Sequence, residues 1–355
     1  MATAAFPIHE PGIPYTTPPT SLQTLDVWLP RPLEESAEDA VWIVFVHGGA
    51  WRDPLQTSLN YAVPTLSHLS DLKSTSMSVL GNIAGVASIS YRLSPYPTST
   101  DGSHHPVYHQ SQDSEETCIQ HPIHVEDVQS GLSLLAKKYA FSKVAPRSDK
   151  EEGNQQTGTH GKAFKWIGIG HSCGATLLLQ YISRIGLAKP GPLRDEVGGQ
   201  QIPSPHLTPT PSALILTAGI YSLPSLLANH SPPHCTEDIA AIYRQIVSGA
   251  FGSDNADSVV YQTVSPVSSQ YDEQTLQRNG MEGLELVVLA WSREDELVEE
   301  DQRDEMETVF HRDGWGGLGR EKRVVERRDI KGAHDFVWED GADLASLVGE
   351  VVRRV

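Results

Sequence analysis

Cysteine is scarce in this chain. Cys118, Cys173 and Cys235 are its whole complement; no two stand as C-x-x-C, and their odd number and wide spacing suggest neither a disulfide framework nor a zinc site. Positive charge is short as well: 27 Lys and Arg stand against 45 Asp and Glu, a formal net charge of −18. Such a surface repels phosphate backbones and anionic lipid, which argues against nucleic acid and membranes as partners and is explained by solubility alone. No apolar run approaches the length of a membrane span. The first residues, Met1 to Pro11, carry neither the basic start nor the long apolar stretch of a secretory leader. A cytoplasmic protein is the expectation. What the chain does have is apolar matter for a core, 39% hydrophobic and 7% aromatic residues, and no visible internal repeat.

That apolar matter comes in short blocks. Val41 to Val46, Val86 to Leu93, Ala213 to Gly219 and Leu284 to Trp291 read as strands, several of them apolar throughout and hence buried on both faces, central and parallel. Gln23 to Leu29 alternates as an early outer strand, and Lys322 to Ile330 as the last one. Residues 57–80, Val125 to Tyr139, 237–248, Val298 to His311 and Leu344 to Val352 read as helices. Strands alternating with helices predict an α/β fold, a mostly parallel central sheet with helices on both faces. We read 1–355 as one domain, with a Pro- and Thr-rich irregular arm at 1–21 and polar inserts near 94–123, 145–162 and 187–211. The first insert carries His104, His105, His109 and His121. A cluster of this kind is by itself weak evidence for a metal site, so a surface loop is expected there.

One stretch carries chemistry. Phe164 to Gln180 is an apolar strand, then Gly170-His171-Ser172-Cys173-Gly174, then a segment rich in Ala and Leu: strand, G-x-S-x-G turn, helix. The bare motif is common, and a glycine-rich turn with a capping serine would also produce it. The flanking strand and helix favour a sharp elbow that lifts Ser172 Oγ to the top of a sheet, with a helix N-terminus behind it. Cys173 reads as a small packing residue whose amide faces the same way.

A serine hydroxyl is a poor nucleophile alone. It needs a neutral histidine to take its proton and a carboxylate to hold that histidine. In an elbow fold these follow in the order Ser, acid, His, each on a loop after a strand. Beyond strand 284–291 lies Ser292-Arg293-Glu294-Asp295-Glu296-Leu297-Val298; beyond strand 322–330 lies Gly332-Ala333-His334. His334 is the candidate base. Asp295 is the chosen acid, with Glu294, Glu296 and Asp301 in competition. His47-Gly48-Gly49, directly after the central strand 41–46, lets main-chain amides approach a substrate oxygen. The Gly48, Gly49 and Cys173 amides are the candidate oxyanion donors.

With His47-Gly-Gly-Ala-Trp51, the elbow, the acidic loop and Gly332-Ala-His334, the chain resembles the α/β-hydrolase superfamily, and more narrowly the fungal-type kynurenine formamidases (arylformamidases). The resemblance covers about residues 23–355. It implies Ser172 as nucleophile, Asp295 as acid, His334 as base and Gly48-Gly49 as oxyanion loop. It also implies a small-molecule substrate, N-formyl-L-kynurenine, cleaved to L-kynurenine and formate in tryptophan breakdown. No metal or organic cofactor is called for. Trp51 and Tyr221 are candidate wall residues, though packing would account for both. The rivals are a small-ester carboxylesterase of the same fold and a non-catalytic binding protein that keeps the elbow. Self-association is left open, a homodimer included.

Overall fold

A computed structural model describes residues 6–71, 79–96, 115–139, 164–188, 209–253, 259–316 and 322–355. Among these the sheet has eight strands: β1 (Ile8–Pro14), β2 (Thr24–Leu29), β3 (Val41–Val46), β4 (Ile83–Ile89), β5 (Lys165–His171), β6 (Ala213–Thr217), β7 (Leu286–Ser292) and β8 (Val324–Ile330). Their spatial order is β1-β2-β4-β3-β5-β6-β7-β8. β2 pairs antiparallel with both β1 and β4, and every other pairing is parallel. The helices in chain order are α1 (Ser58–Asp71), α2 (Ile123–Tyr139), α3 (Cys173–Ser183), α4 (Leu223–Asn229), α5 (Glu237–Phe251), α6 (Val260–Val264), α7 (Glu273–Asn279), α8 (Glu300–Arg312), α9 (Phe336–Asp340) and α10 (Ala342–Val352).

β3, β4, β6 and β7 are buried along their whole length, as continuous apolar strands in a doubly covered sheet must be. Successive side chains go to opposite faces. Val44, Val46, Leu214 and Leu216 pack with Val128 and Leu132 of α2, Leu178 of α3 and Phe310 of α8. Ile43, Phe45, Ile169 and Ile215 pack with Tyr61 of α1 and with Leu344 and Val348 of α10. Each such fully buried Leu or Ile stabilises the fold by about 1.5–3 kcal/mol. The parallel strands all point the same way, so the loops after β3, β5, β6, β7 and β8 share one edge of the sheet. That edge carries the site.

Three sequence expectations change. The arm at 1–21 contains β1, whose Pro11 and Gly12 sit where the β1–β2 register shifts between Glu10 and Ile13; an edge strand with a bulge tolerates residues a central strand would not. Tyr15 anchors it through its hydroxyl to Ser90 O at 2.7 Å. The strand expected over 86–93 begins at Ile83 and ends at Ile89, because the Asp127 carboxylate captures the Arg92 amide at 3.1 Å and its Nε at 2.9 Å. Helices α4, α6, α7 and α9, of five to seven residues, were not expected, since two turns or fewer leave no readable period.

Residues 97–114 with His104, His105 and His109, all of 145–162, 189–208, and 72–78 of the expected first helix lie outside the described residues. His121, expected on a surface loop, is half-buried beside Phe251, with ring centroids 5.5 Å apart. Burial pushes its imidazole down to about 4. No helix among the described residues is long and apolar enough to cross a membrane.

Candidate active site

β5 ends at His171 and α3 begins at Cys173, so the turn is one residue wide. Ser172 occupies it with φ 53° and ψ −124°, a region costly for a residue with a Cβ. The conformation is held by Ser172 N donating to Thr217 O at 2.9 Å and by Ala175 N donating to Ser172 O at 3.1 Å. A Cβ on Gly174 would stand 2.2 Å from Val46 O and 2.5 Å from His47 O. Only glycine lets the elbow lie against the end of β3. Ser172 opens into a cavity of about 300 Å³ that His334 also lines. Among the described residues no hydrogen bond joins Ser172 Oγ to that imidazole; such contacts tighten when substrate binds.

His334 and Asp295 meet. The imidazole Nδ1 lies 2.9 Å and 3.0 Å from the two Asp295 carboxylate oxygens, and the side chains are 5% and 1% exposed. A carboxylate only accepts, so Nδ1 carries the proton and Nε2 is left as the acceptor, on a residue that lines the cavity. Asp295 Oδ1 in turn accepts from the Leu297 and Val298 amides at 3.0 and 2.9 Å. The competing acids go elsewhere. Glu296 accepts from the His334 backbone amide at 3.0 Å, Asp301 from Asn229 at 3.2 Å, and Glu294 is exposed. Ser292 Oγ donates to Gly332 O at 2.6 Å, which ties the acid loop to the histidine loop.

A second His–carboxylate pair lies beside the first, and sequence reasoning missed it. His171 Nε2 is 3.3 Å from Asp335 Oδ1, and its ring is 4.6 Å from that of His334. Burial pulls the His171 imidazole down, so it is neutral and donates through Nε2. Burial acts to raise the Asp335 carboxyl, but hydrogen bonds from His171 and Trp338 outweigh it and hold the group at about 2. Asp335 is therefore a fixed negative charge on the cavity wall. Ligating atoms of His171, His334 and Asp335 lie within 4.8 Å of one another. Their protons are already shared among Asp295, Asp335 and Thr217, which marks a hydrogen-bond cluster rather than a vacant metal cage. The adjacency of Asp335 to His334 was the only sequence signal for it.

The loop after β3 presents Gly49 and Ala50 to the cavity; Gly48, an expected donor, is not among the lining residues. The Gly49 and Ala50 amides donate to no backbone carbonyl among the described residues, and Cys173 is the first residue of α3, where the amide lacks a helical partner. Of the expected donors Gly48, Gly49 and Cys173, only Gly49 lines the cavity, with Ala50 beside it. Gly49 has φ +93°, which explains a glycine there. The Cys173 thiol itself is buried, and burial pushes it up to about 11.

Trp51 and Tyr221, expected as walls, are buried outside the cavity. Trp51 packs edge-on against Phe251, and Tyr221 belongs to the core beneath α4. The apolar wall is instead Ile220, Leu226, Ile242, Ile246 and Val298, and the polar side is Arg52, Asp53 and Asp335. Ile242 and Ile246 come from α5, whose start is capped by Thr236 accepting from the Ile239 amide.

No family model matches the chain. It is similar to a kynurenine formamidase-like hydrolase of Fusarium equiseti, 33% identical over 96% of this chain and 93% of that protein. It is also similar to a kynurenine formamidase of Aspergillus versicolor, 26% identical over 90% of this chain and 91% of that one. Among solved structures it resembles a truncated carbohydrate esterase from gut microbiota, with TM-score 0.55, 13% identity, and 98% and 96% of the two chains covered. Esterase B of Lactobacillus rhamnosis matches with TM-score 0.55, 14% identity, and 98% and 85% covered. At such identities the structural likeness is one of fold, and the fold is that of the α/β-hydrolases.

Proposed function

Since the chain belongs to the kynurenine formamidase-like hydrolases, we propose that it is a serine hydrolase cleaving N-formyl-L-kynurenine to L-kynurenine and formate. The observation that carries this reading is the meeting of the Asp295–His334 pair and the strained Ser172 on one cavity, which Gly49 and Ala50 also line. His334 Nε2 takes the Ser172 proton as Oγ attacks the formyl carbon, and the oxyanion that forms is bound by main-chain amides. The imidazolium is steadied by Asp295. It returns its proton to the anilide nitrogen, the C–N bond breaks, and the arylamine leaves. Water attacks the formyl-serine with the same imidazole as base, releasing formate and restoring the hydroxyl.

A one-carbon acyl group needs little room, so recognition falls on the leaving group. An aromatic ring suits the wall of Ile242, Ile246 and Leu226. A zwitterionic amino-acid end suits a lining that includes Arg52, Asp53 and Asp335. Arg52→Gln is expected to raise KM for N-formyl-L-kynurenine by about 10- to 100-fold, the worth of a charge-assisted hydrogen bond. Formanilide, which lacks the carboxylate, should show a far smaller change in the same assay; equal losses on both would remove Arg52 from that role.

The substrate itself is tested by comparing kcat/KM for N-formyl-L-kynurenine and p-nitrophenyl acetate on purified protein. The formamide is expected to be the better substrate. Rapid ester cleavage with the formamide untouched would replace this reading with a carboxylesterase.

A further inference from the structure

We infer that Tyr91 is a positioning residue for catalysis: its hydroxyl, pinned between the carbonyls of His47 and Gly48, aims the Gly49 amide at the developing oxyanion. The chain leaves the sheet after β4, and Tyr91 turns inward to complete burial, 0% exposed. Its hydroxyl lies 2.9 Å from His47 O and 2.9 Å from Gly48 O. Carbonyls only accept, so the single phenolic proton is shared between them. Gly48 O has a second donor, the Nδ1 of His47 at 2.9 Å, and burial pushes that imidazole down to about 4, leaving it neutral with Nδ1 as the donor.

The consequence follows from peptide geometry. In a planar trans peptide the C=O and the next N–H point in opposite directions. Drawing Gly48 O toward the Tyr91 hydroxyl turns the Gly49 N–H the other way, and Gly49 is a residue that lines the cavity. Glycine at 49 has the widest choice of conformations, so without an external hold that peptide plane would be free to rotate. The Tyr91 ring is itself fixed, stacked on His47 with centroids 4.4 Å apart and 11° between planes, and edge-on to His124 at 6.3 Å. The hydroxyl also lies 3.5 Å from Cys173 Sγ, which accepts from the Trp51 amide at 3.3 Å. One buried cluster thus joins the β3 loop to the residue after the nucleophile, the two sources of oxyanion donors. A phenylalanine would fill the same space; what it could not do is hold the carbonyls.

The inference rests on Ser172 acting as nucleophile. In Tyr91→Phe, kcat for N-formyl-L-kynurenine, or for p-nitrophenyl acetate if that is the better substrate, should fall about 10- to 100-fold with KM within about twofold, the pattern of a lost transition-state contact. Affinity for an aryl trifluoromethyl ketone, which binds as a tetrahedral oxyanion on the serine, should fall by a similar factor, while affinity for L-kynurenine stays. para-Aminophenylalanine at position 91 restores a donor and should recover most of the rate. It decides alone if Tyr91→Phe does not fold: near wild-type turnover supports the assignment, and loss as deep as any oxyanion-donor deletion overturns it. A Tyr91→Phe enzyme with kcat and ketone affinity unchanged, or with kynurenine affinity lost in proportion, overturns it too. If Ser172→Ala is inert while Tyr91→Phe is unimpaired, only this inference falls; an active Ser172→Ala enzyme removes the nucleophile on which both depend.

Discussion

Ser172→Ala should lower kcat on N-formyl-L-kynurenine by about 10⁴- to 10⁶-fold, the scale of nucleophile deletions in serine hydrolases. Stability should change little. Ser172 Oγ has no hydrogen-bond partner among the described residues, and its backbone is held by the Thr217 carbonyl and the Ala175 amide, which alanine keeps. Substrate binding should also survive, because Arg52 and the apolar wall are untouched. The double variant Ser172→Ala with His334→Ala should be no slower than Ser172→Ala alone, since the two side chains act as one unit. Steady-state kinetics on purified protein, with thermal unfolding as the control, reads all of these. A Ser172→Ala enzyme within about tenfold of wild type would point to direct attack by water.

His334→Ala is expected to cost a comparable factor in kcat, through loss of both general base and general acid. Its effect on folding is of another kind. The Asp295 side chain is 1% exposed and would keep its two amide donors, Leu297 and Val298, but lose the imidazole. A buried acceptor deprived of one partner destabilises by about 1–3 kcal/mol, which a domain of ordinary stability withstands. Circular dichroism should therefore show a folded protein with a lowered melting temperature and almost no turnover. Substantial retained activity would remove His334 from its role.

The candidate nucleophile and base were legible because their signals are local: a strand, a turn of fixed glycines and a helix at 164–180, and a histidine on the loop after the last strand. Choosing among Glu294, Asp295, Glu296 and Asp301 was weaker, since three of these acids share one loop and the fourth follows in the first turn of α8, and they differ in the partners that the fold brings to them. Asp295 is the one capped by Leu297 and Val298 and turned to the imidazole. Sequence reasoning failed where long-range packing decides. Trp51 stands beside the glycines but has φ 59°, which directs it down against Phe251. Gly49 and Ala50, not Gly48, line the cavity, and the Gly48 carbonyl accepts from the hydroxyl of Tyr91, 43 positions away. β1 was hidden by Pro11 and Gly12, which read as loop and serve as a bulge. The central strands, apolar end to end, were found because doubly covered strands have no polar face to confuse them.

The most direct measurement is active-site titration with a fluorophosphonate, following hydrolysis of N-formyl-L-kynurenine alongside the site of labelling by peptide mass mapping. Activity should fall in step with phosphonylation of Ser172 and vanish when each chain carries one group there. A protein fully labelled at Ser172 that still releases kynurenine, or one labelled elsewhere as activity disappears, would contradict the assignment of that hydroxyl as the attacking group.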